Sequence, residues 1–370
     1  MTQIVRLFGR LRFRAPFVLA FVAAVLPTFA SAQNVMVKTE VGGTSIEGKP
    51  VFWTSQFVSL LGRDGRLWEF QPDEAKNPEK GGTFQPYSQS QLRGALQAEF
   101  GRSFEVSGSG QFLVVHPVGQ RNLWTQRFES LYRSMVQYFR ARGFEMQTPP
   151  FPFVAVVFHH REQFLDYCQQ QQLKISGRAN NLLGLYDPHS NRILLFDFTD
   201  GQSNSEAWYV NAETIVHEAA HQTAFNAGIH TRFGPTPTWV VEGIGTLFEA
   251  PGIHDSHRHG KPEDRVNQRQ RETFRRIIDD GAAAEAVQQS IMTDRLFQVR
   301  PATAYATAWA MTYFLAERQP RKYAAYLRQL NSRPLYSPYT VPDRVRDFQA
   351  VFGQDPRMFA AQVIGYFRDH

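Results

Sequence analysis

The sequence predicts an α+β fold: a mixed, mainly antiparallel sheet with one functional helix, preceded by a small β-rich domain and followed by a helical lobe. Three observations predict it. Short apolar, alternating or β-branched runs fill the first half of the chain. Apolar residues at helical spacing dominate after residue 211. A length of 370 residues allows two or three compact units.

The first 32 residues form a separate segment. Four arginines precede a short apolar run at residues 17–26, and small residues lead up to Ala32. This pattern predicts a signal peptide, residues 1–32, cut after Ala32, and hence a periplasmic or secreted protein. The alternative is an uncleaved membrane anchor, for which the run is short. Without the four arginines the formal net charge falls from +6 to +2, so the basic charge is poor evidence for binding nucleic acid.

Residues 33–118 are predicted to form the small β-rich domain, called here the lead-in domain. Its predicted strands are residues 35–39, 58–61, 67–70, 104–106 and 112–115. Asp64-Gly65 predicts a hairpin turn, and the polar residues 73–82 predict a loop. A helix is expected after Ser90 as its N-cap. No residues here carry chemistry, so we expect a packing role, with docking or substrate shaping as the alternative.

Residues 119–260 are predicted to form the central lobe. Its predicted elements are a long helix at residues 123–142 and strands at residues 153–158, 182–186 and 193–198. The last two strands form either an ordinary hairpin or an edge that pairs with an extended peptide. Cys168 is the single cysteine, so no intrachain disulfide can form, and its apolar neighbours favour a small core residue.

The pattern HExxH at His217, Glu218 and His221 stands at the centre of this lobe. An apolar stripe within residues 215–225 and a stop signal at Gly228 predict that the pattern lies on a helix. Residues four apart share a helix face, so the two imidazoles project together. Two imidazoles at that spacing can bind one Zn²⁺ ion, with the glutamate beside it as general base.

A catalytic zinc takes three protein ligands and keeps one position open, so a third ligand is needed. Glu242 follows His221 by 21 residues and lies on a second predicted helix, which runs from Trp239 with Thr238 as its cap. A short loop would bring this helix back beside the first, so Glu242 is the favoured ligand. Glu249 is the rival ligand. Its favoured role is to accept a hydrogen bond from the other nitrogen of a ligand imidazole.

The HEAAH segment followed by Trp-Val-Val-Glu-Gly resembles the gluzincin zinc metallopeptidases, the group of thermolysin and the zinc aminopeptidases. The closest overall pattern is that of exported bacterial HExxH families without an assigned substrate. The resemblance covers about residues 112–330. It implies a zincin-like fold, Zn²⁺ as the cofactor, and a peptide or protein as the substrate.

The resemblance also assigns a role to Tyr305. In the aminopeptidase branch, a tyrosine some sixty residues beyond the third ligand stabilises the oxyanion, and Tyr305 lies 63 residues after Glu242. A core aromatic is the alternative. The Gly-x-Met-Glu-Asn-like segment of the aminopeptidases is absent, so their specificity is not implied. Ala224 and Ala227 stand where the metzincin pattern requires glycine and histidine.

Residues 261–370 are predicted to form a helical lobe, with helices at residues 265–278, 282–292, 304–317, 323–330 and 356–367. Five arginines between 265 and 276 predict a solvated face, or one could recognise a substrate carboxylate. Two further histidine groups occur. His159-His160 favours an exposed turn over a ligand pair, and His254, His257 and His259 favour a solvated loop over a second metal site.

These features predict an exported zinc metallopeptidase in which Glu218 is the general base and Tyr305 stabilises the oxyanion. The alternative is a zinc-stabilised binding or envelope-assembly protein without turnover. Glu218 argues against it, because a purely structural zinc needs no base. A third hypothesis is a membrane-tethered enzyme that retains its leader. The oligomeric state is not predicted.

Overall fold

The computed structural model describes residues 34–173, 182–197 and 206–369, apart from the side chains of residues 121–123 and 206–213. The predicted signal peptide, residues 1–32, lies outside the described residues. Within the described ranges, no helix combines the length and apolar character that a bilayer span needs. The described chain folds into two five-stranded sheets and a large helical region, which confirms the α+β prediction with its β-rich N-terminal part.

The first sheet is antiparallel throughout and has the strand order β4-β3-β2-β1-β5. Its strands are β1 (Val35–Val41), β2 (Thr44–Trp53), β3 (Val58–Gly62), β4 (Leu67–Phe70) and β5 (Lys76–Thr83). The predicted turn at Asp64-Gly65 joins β3 to β4. The loop prediction for residues 73–82 is wrong, because β5 occupies most of them. All eight β5 residues are exposed at the edge of the sheet, so the strand shows no apolar alternation.

Helix α1 (Gln89–Phe100) leads into the second sheet. Its N-cap is Ser88, two residues before the predicted Ser90. The Ser88 hydroxyl accepts a hydrogen bond from the Gln91 amide at 3.3 Å, and the Gln91 side chain accepts one from the Ser88 amide at 3.0 Å. This reciprocal capping box satisfies two donors that a cap at Ser90 would leave open.

The second sheet is mixed and has the order β6-β7-β8-β10-β9. Its strands are β6 (Phe104–Ser109), β7 (Phe112–Pro117), β8 (Phe153–Phe158), β9 (Gly184–Asp187) and β10 (Arg192–Phe196). The β7–β8 and β8–β10 pairs are parallel and the other two pairs are antiparallel, so the sheet is less antiparallel than predicted. Because β7 pairs with β8, strands β6 and β7 belong to this sheet, although the predicted boundary after residue 118 assigned them to the lead-in domain. β9 is an edge strand that pairs antiparallel with β10, an arrangement compatible with both alternatives of the sequence analysis.

Helices cover both faces of this sheet. They are α1 and three further helices, α2 (Arg121–Arg140), α3 (Arg161–Gln170) and α4 (Glu206–Asn226). Phe128 of α2 and Ile215 of α4 pack on one face, and Leu92 of α1 and Phe164 of α3 pack on the other. Cys168 is buried in the second of these layers, which confirms its prediction as a core residue. The central strands are therefore apolar on both faces.

The remaining chain is almost entirely helical. Its helices are α5 (Thr238–Phe248), α6 (Pro251–His254), α7 (Gln268–Asp279), α8 (Ala283–Met292), α9 (Leu296–Val299), α10 (Pro301–Arg318), α11 (Pro320–Asn331), α12 (Val341–Phe352) and α13 (Pro356–Asp369). α10 is the central helix, and Ala308, Trp309 and Met311 on it are fully buried. α12 fills a region for which no element was predicted. Thr340 caps it by accepting a hydrogen bond from the Asp343 amide.

The N-terminal sheet is tied to the loops beside α4. The Leu67 amide donates to the His189 carbonyl at 2.7 Å, which joins the β3–β4 hairpin to the β9–β10 turn. The half-buried side chain of Arg232, in the loop after α4, donates from its guanidinium to the carbonyls of Gly65 at 2.6 Å and Pro188 at 2.7 Å. These bonds hold the loop between α4 and α5 against both sheets.

Candidate metal centre

The two histidines of the HExxH pattern lie one turn apart on α4. His217 and His221 are buried, and their ring centroids are 4.5 Å apart with the ring planes 82° from parallel. Described α4 residues from Thr214 to Phe225 are buried on all sides, because the sheet lies on one face and α5 on another. The predicted helix and its projection of the two imidazoles are therefore present.

Helix α5 brings the third residue of the centre. Glu242 Oε2 lies 3.3 Å from His217 Nε2 and 3.7 Å from His221 Nε2. Within the described ranges these three residues form the one cluster whose ligand atoms lie close enough to hold a metal ion. Two ligands about 2.05 Å from a tetrahedral zinc are about 3.3 Å apart, so the observed spacing suits such an ion.

The orientation of the ligand atoms also fits a cation. His217 Nε2 and Glu242 Oε2 are buried and close, yet their alignment makes no hydrogen bond between them or to any other described group. Burial raises the pKa of Glu242, but the two imidazoles outweigh it and hold the pKa well below its usual range. The carboxylate is therefore ionised, and a metal ion at the centre would satisfy these buried atoms.

A glycine allows α5 to approach α4 this closely. A Cβ atom at Gly245 would lie 2.6 Å from both Cε1 and Nε2 of His217, closer than real Cβ contacts. Gly243 makes a similar approach to α10, where a Cβ would lie 2.7 Å from the Ala308 carbonyl oxygen. These two glycines of the Glu-Gly-Ile-Gly segment thus set the distance from Glu242 to the histidines.

The structure places Glu249 where the sequence analysis expected an acceptor. Its Oε1 lies 2.9 Å from His217 Nδ1, so it accepts a hydrogen bond from that ring and leaves Nε2 to face Glu242. Its Oε2 accepts hydrogen bonds from Asn267 Nδ2 at 2.8 Å and Arg269 Nη2 at 3.2 Å. Arg269 was expected on a solvated face, whereas Asn267 was not identified from the sequence.

Glu218 lies beside the cluster with its carboxylate in a dry environment. Oε2 accepts a hydrogen bond of 2.6 Å from the Tyr186 amide of edge strand β9, and Oε1 is buried without a described partner. Burial raises the pKa of Glu218; the two imidazoles partly offset the rise, and Glu242 adds to it. A carboxyl group with a raised pKa is suited to accept and return a proton near neutral pH.

Tyr305, on the second turn of α10, reaches the same centre. Its hydroxyl is hydrogen-bonded to Glu242, and its ring packs edge-on against Phe297 at 5.4 Å. Burial, together with the charges of Glu242 and Glu218, raises its pKa well above the usual value. The hydroxyl therefore stays protonated and can donate a hydrogen bond.

Thr238 does not cap α5, contrary to the sequence prediction. Thr238 is the first residue of the helix, and its amide donates instead to Asp294 Oδ1 at 2.9 Å. Asp294 precedes α9, far along the chain, so no local pattern could identify it. Arg344 Nη2 donates to the same oxygen at 3.0 Å and fixes the capping carboxylate.

A buried histidine near the centre was missed. His230, in the loop after α4, is 3% exposed, and neither ring nitrogen has a hydrogen-bond partner among the described residues. Burial, and then the neighbouring His221, lower the pKa of His230 to about 3, so the ring is neutral. A lone histidine nine residues after HExxH carries no spacing signal that could have identified it.

The other histidine groups lie outside the cluster. His254 Nδ1 is 2.9 Å from the Phe248 carbonyl oxygen, and His257 and His259 are exposed. His159 is half-buried and His160 is exposed, as expected for a turn. Among the described residues none of these side chains joins a metal-ligand group.

Part of the chain matches a protein family. Residues 211–336 match a family described as "Protein of unknown function (DUF1570)". The match covers about a third of the chain, from within α4 to the residues after α11. It contains His217, Glu218, His221, Glu242 and Tyr305, whereas both sheets lie outside it. No curated protein matches the chain.

Proposed function

We propose that this protein is an exported zinc-dependent peptidase of the gluzincin type. The observation that carries the proposal is the position of Glu218. A buried carboxylate with a raised pKa and an unpaired oxygen lies beside a set of three metal-ligand residues. A purely structural metal site needs no such base, whereas hydrolysis by activated water does.

The residues around the cluster divide the chemistry between them. His217, His221 and Glu242 would hold the zinc ion, which when bound supplies Lewis acidity and water of lowered pKa. Glu218 takes the proton of the attacking water and passes it to the leaving amine. The Tyr305 hydroxyl donates a hydrogen bond to the carbonyl oxygen as negative charge develops there. Glu249 keeps the His217 ring in the orientation that ligation requires.

The position of β9 at the edge of the sheet, next to Glu218, supports an extended peptide as the substrate. β9 is an edge strand, and its Tyr186 amide points to Glu218 rather than to β10. An edge strand can pair with an extended chain through main-chain hydrogen bonds. We propose a peptide or protein substrate, in the periplasm or outside the cell, reached after cleavage of the leader behind Ala32. N-terminal sequencing of the exported protein tests that cleavage.

The test measures zinc content and cleavage of a peptide library for the wild type and three variants, with and without chelator. Glu218→Gln should retain zinc and lose about 10²–10⁴-fold in rate. His217→Ala should lose zinc and activity together. Glu317→Gln is the matched control. Glu317 pairs with Arg142 and lies on α10 about 18 Å along the helix axis from Tyr305, so it is remote from the metal centre. It should leave both readouts unchanged.

The outcomes separate the competing hypotheses. Hydrolysis by Glu218→Gln at the wild-type rate would refute the base assignment. A wild-type protein that binds zinc but cleaves no peptide would favour the binding or envelope-assembly alternative. Absence of zinc binding would reject both the zinc peptidase and the zinc-stabilised binding protein.

A further inference from the structure

The two ligand imidazoles differ in the hydrogen bonding of their Nδ1 atoms. His217 Nδ1 is hydrogen-bonded to Glu249, whereas His221 Nδ1 is buried without a hydrogen-bond partner among the described residues. Histidines that bind metals almost always donate their second N–H to an acceptor, which fixes the ring and strengthens ligation. A group that accepts from His221 is therefore expected near this side of the centre.

The His230 ring lies next to this face of α4. Gly228, with a φ of +85°, turns the chain back at the end of the helix, and the His230 amide donates to the Ala224 carbonyl at 2.8 Å. The ring then packs against Phe225 with centroids 5.0 Å apart. Phe225 follows His221 by four residues, so the two share a helix face, and His230 reaches the surroundings of His221.

We propose that His230 is a positioning residue that completes the hydrogen bonding of His221 through one bridging water. A neutral imidazole offers one acceptor and one donor, and both His230 nitrogens are buried without described partners. Buried waters typically join polar groups that would otherwise be unsatisfied. The bridging water would accept the hydrogen bond of His221 Nδ1, as the Glu249 carboxylate does for His217 Nδ1. This inference rests on the metal-binding part of the proposed function and not on hydrolysis.

The test compares His230→Phe with His230→Gln. Phenylalanine keeps an aromatic ring against Phe225 and removes the hydrogen bond, whereas glutamine keeps a donor and an acceptor. Zinc affinity is measured by competition with a chromophoric chelator, the ligand geometry by the visible spectrum of the Co²⁺-loaded protein, and folding by denaturant unfolding of the metal-free protein.

We expect His230→Phe to weaken zinc binding by roughly 10–100-fold and to change the cobalt spectrum. The metal-free protein should be about as stable as the wild type, because phenylalanine keeps the ring contact with Phe225 and burying an apolar ring offsets the lost water-mediated hydrogen bond. His230→Gln should recover most of the affinity. If His230 acted only in packing, the substitution would change the free energy of unfolding of the metal-free protein and leave the cobalt spectrum unchanged.

Wild-type zinc affinity and an unchanged cobalt spectrum in His230→Phe would overturn the inference and leave the proposed function standing. A loss of metal-free stability in both variants at constant metal affinity would also overturn it. If the wild-type protein binds neither Zn²⁺ nor Co²⁺, the proposed function itself fails.

Discussion

Gly245→Ala tests how closely α5 presses on the metal centre. The added Cβ would lie 2.6 Å from His217 Nε2 and Cε1, and 3.0 Å from Nδ1. The ring has little freedom to move away, because His217 is fully buried and its Nδ1 is held by Glu249 at 2.9 Å. The substitution must therefore separate α4 from α5 or displace the imidazole.

The expected cost follows from two opposing effects. Replacing glycine by alanine inside a helix stabilises it by about 1 kcal/mol, and forcing a methyl group into a packed contact costs about 1–3 kcal/mol. Gly94→Ala is the matched control, since Gly94 is exposed within α1 and a Cβ there would have no neighbour within 4 Å. Gly94→Ala should stabilise the fold, so the difference between the two variants isolates the contact at roughly 1–3 kcal/mol.

The assay combines denaturant unfolding of the metal-free protein with zinc affinity measured by chelator competition. Gly245→Ala should lower the free energy of unfolding relative to Gly94→Ala and weaken zinc binding at least about tenfold, because His217 is displaced. Gly94→Ala should bind zinc as the wild type does. If Gly245→Ala matched the control in both measurements, the inferred contact between α5 and His217 would be refuted.

Two further predictions concern carboxylates that hold histidines. Glu249→Gln should weaken zinc binding by about 10–100-fold, since an amide is a poorer acceptor for His217 Nδ1 than a carboxylate; chelator competition measures this, and unchanged affinity would contradict the role of Glu249. At His189, the carboxylates of Asp187, 3.7 Å from the ring, and of Glu69, 3.4 Å from it, raise the pKa to about 10. Because this exceeds the unfolded value of about 6.5, the stabilisation is complete below pH 6.5 and is lost as the pH rises through 10. His189→Gln should flatten this fall in unfolding experiments between pH 6.5 and 10. The change should be small because the ring is largely exposed, and parallel curves for both proteins would contradict it.

Local periodicity explains which site residues the sequence could identify. His217 and His221 share a helix face by their spacing of four, and Glu242 and Glu249 share one by their spacing of seven. Once α5 packs against α4, both glutamates face the paired imidazoles. Glu242 as a ligand and Glu249 as the acceptor for His217 could therefore be predicted from two short segments of the sequence. Tyr305 lay beyond this reasoning and was identified only through resemblance to a family.

Long-range contacts explain what the sequence could not predict. β5 is polar and exposed, and only its main-chain pairing with β1 makes it a strand. The cap of α5 is Asp294, which lies 56 residues beyond Thr238 in the chain. The membership of β6 and β7 in the second sheet depends on parallel pairing with β8, which comes after the long helix α2. None of these contacts leaves a pattern within one segment.

The balance of charge at the centre gives a reason why a divalent cation suits it. Glu218 and Glu242 are buried side by side with two imidazoles, and like charges in a dry site are costly. Without a cation, a proton must compensate: burial lowers the pKa of His217, but the neighbouring carboxylates of Glu242 and Glu249 outweigh burial and raise it. A bound divalent cation would neutralise both carboxylates and displace that proton. Since such binding favours the folded state, zinc should raise the unfolding temperature with increasing concentration, and it should do so less in any variant that weakens the cluster.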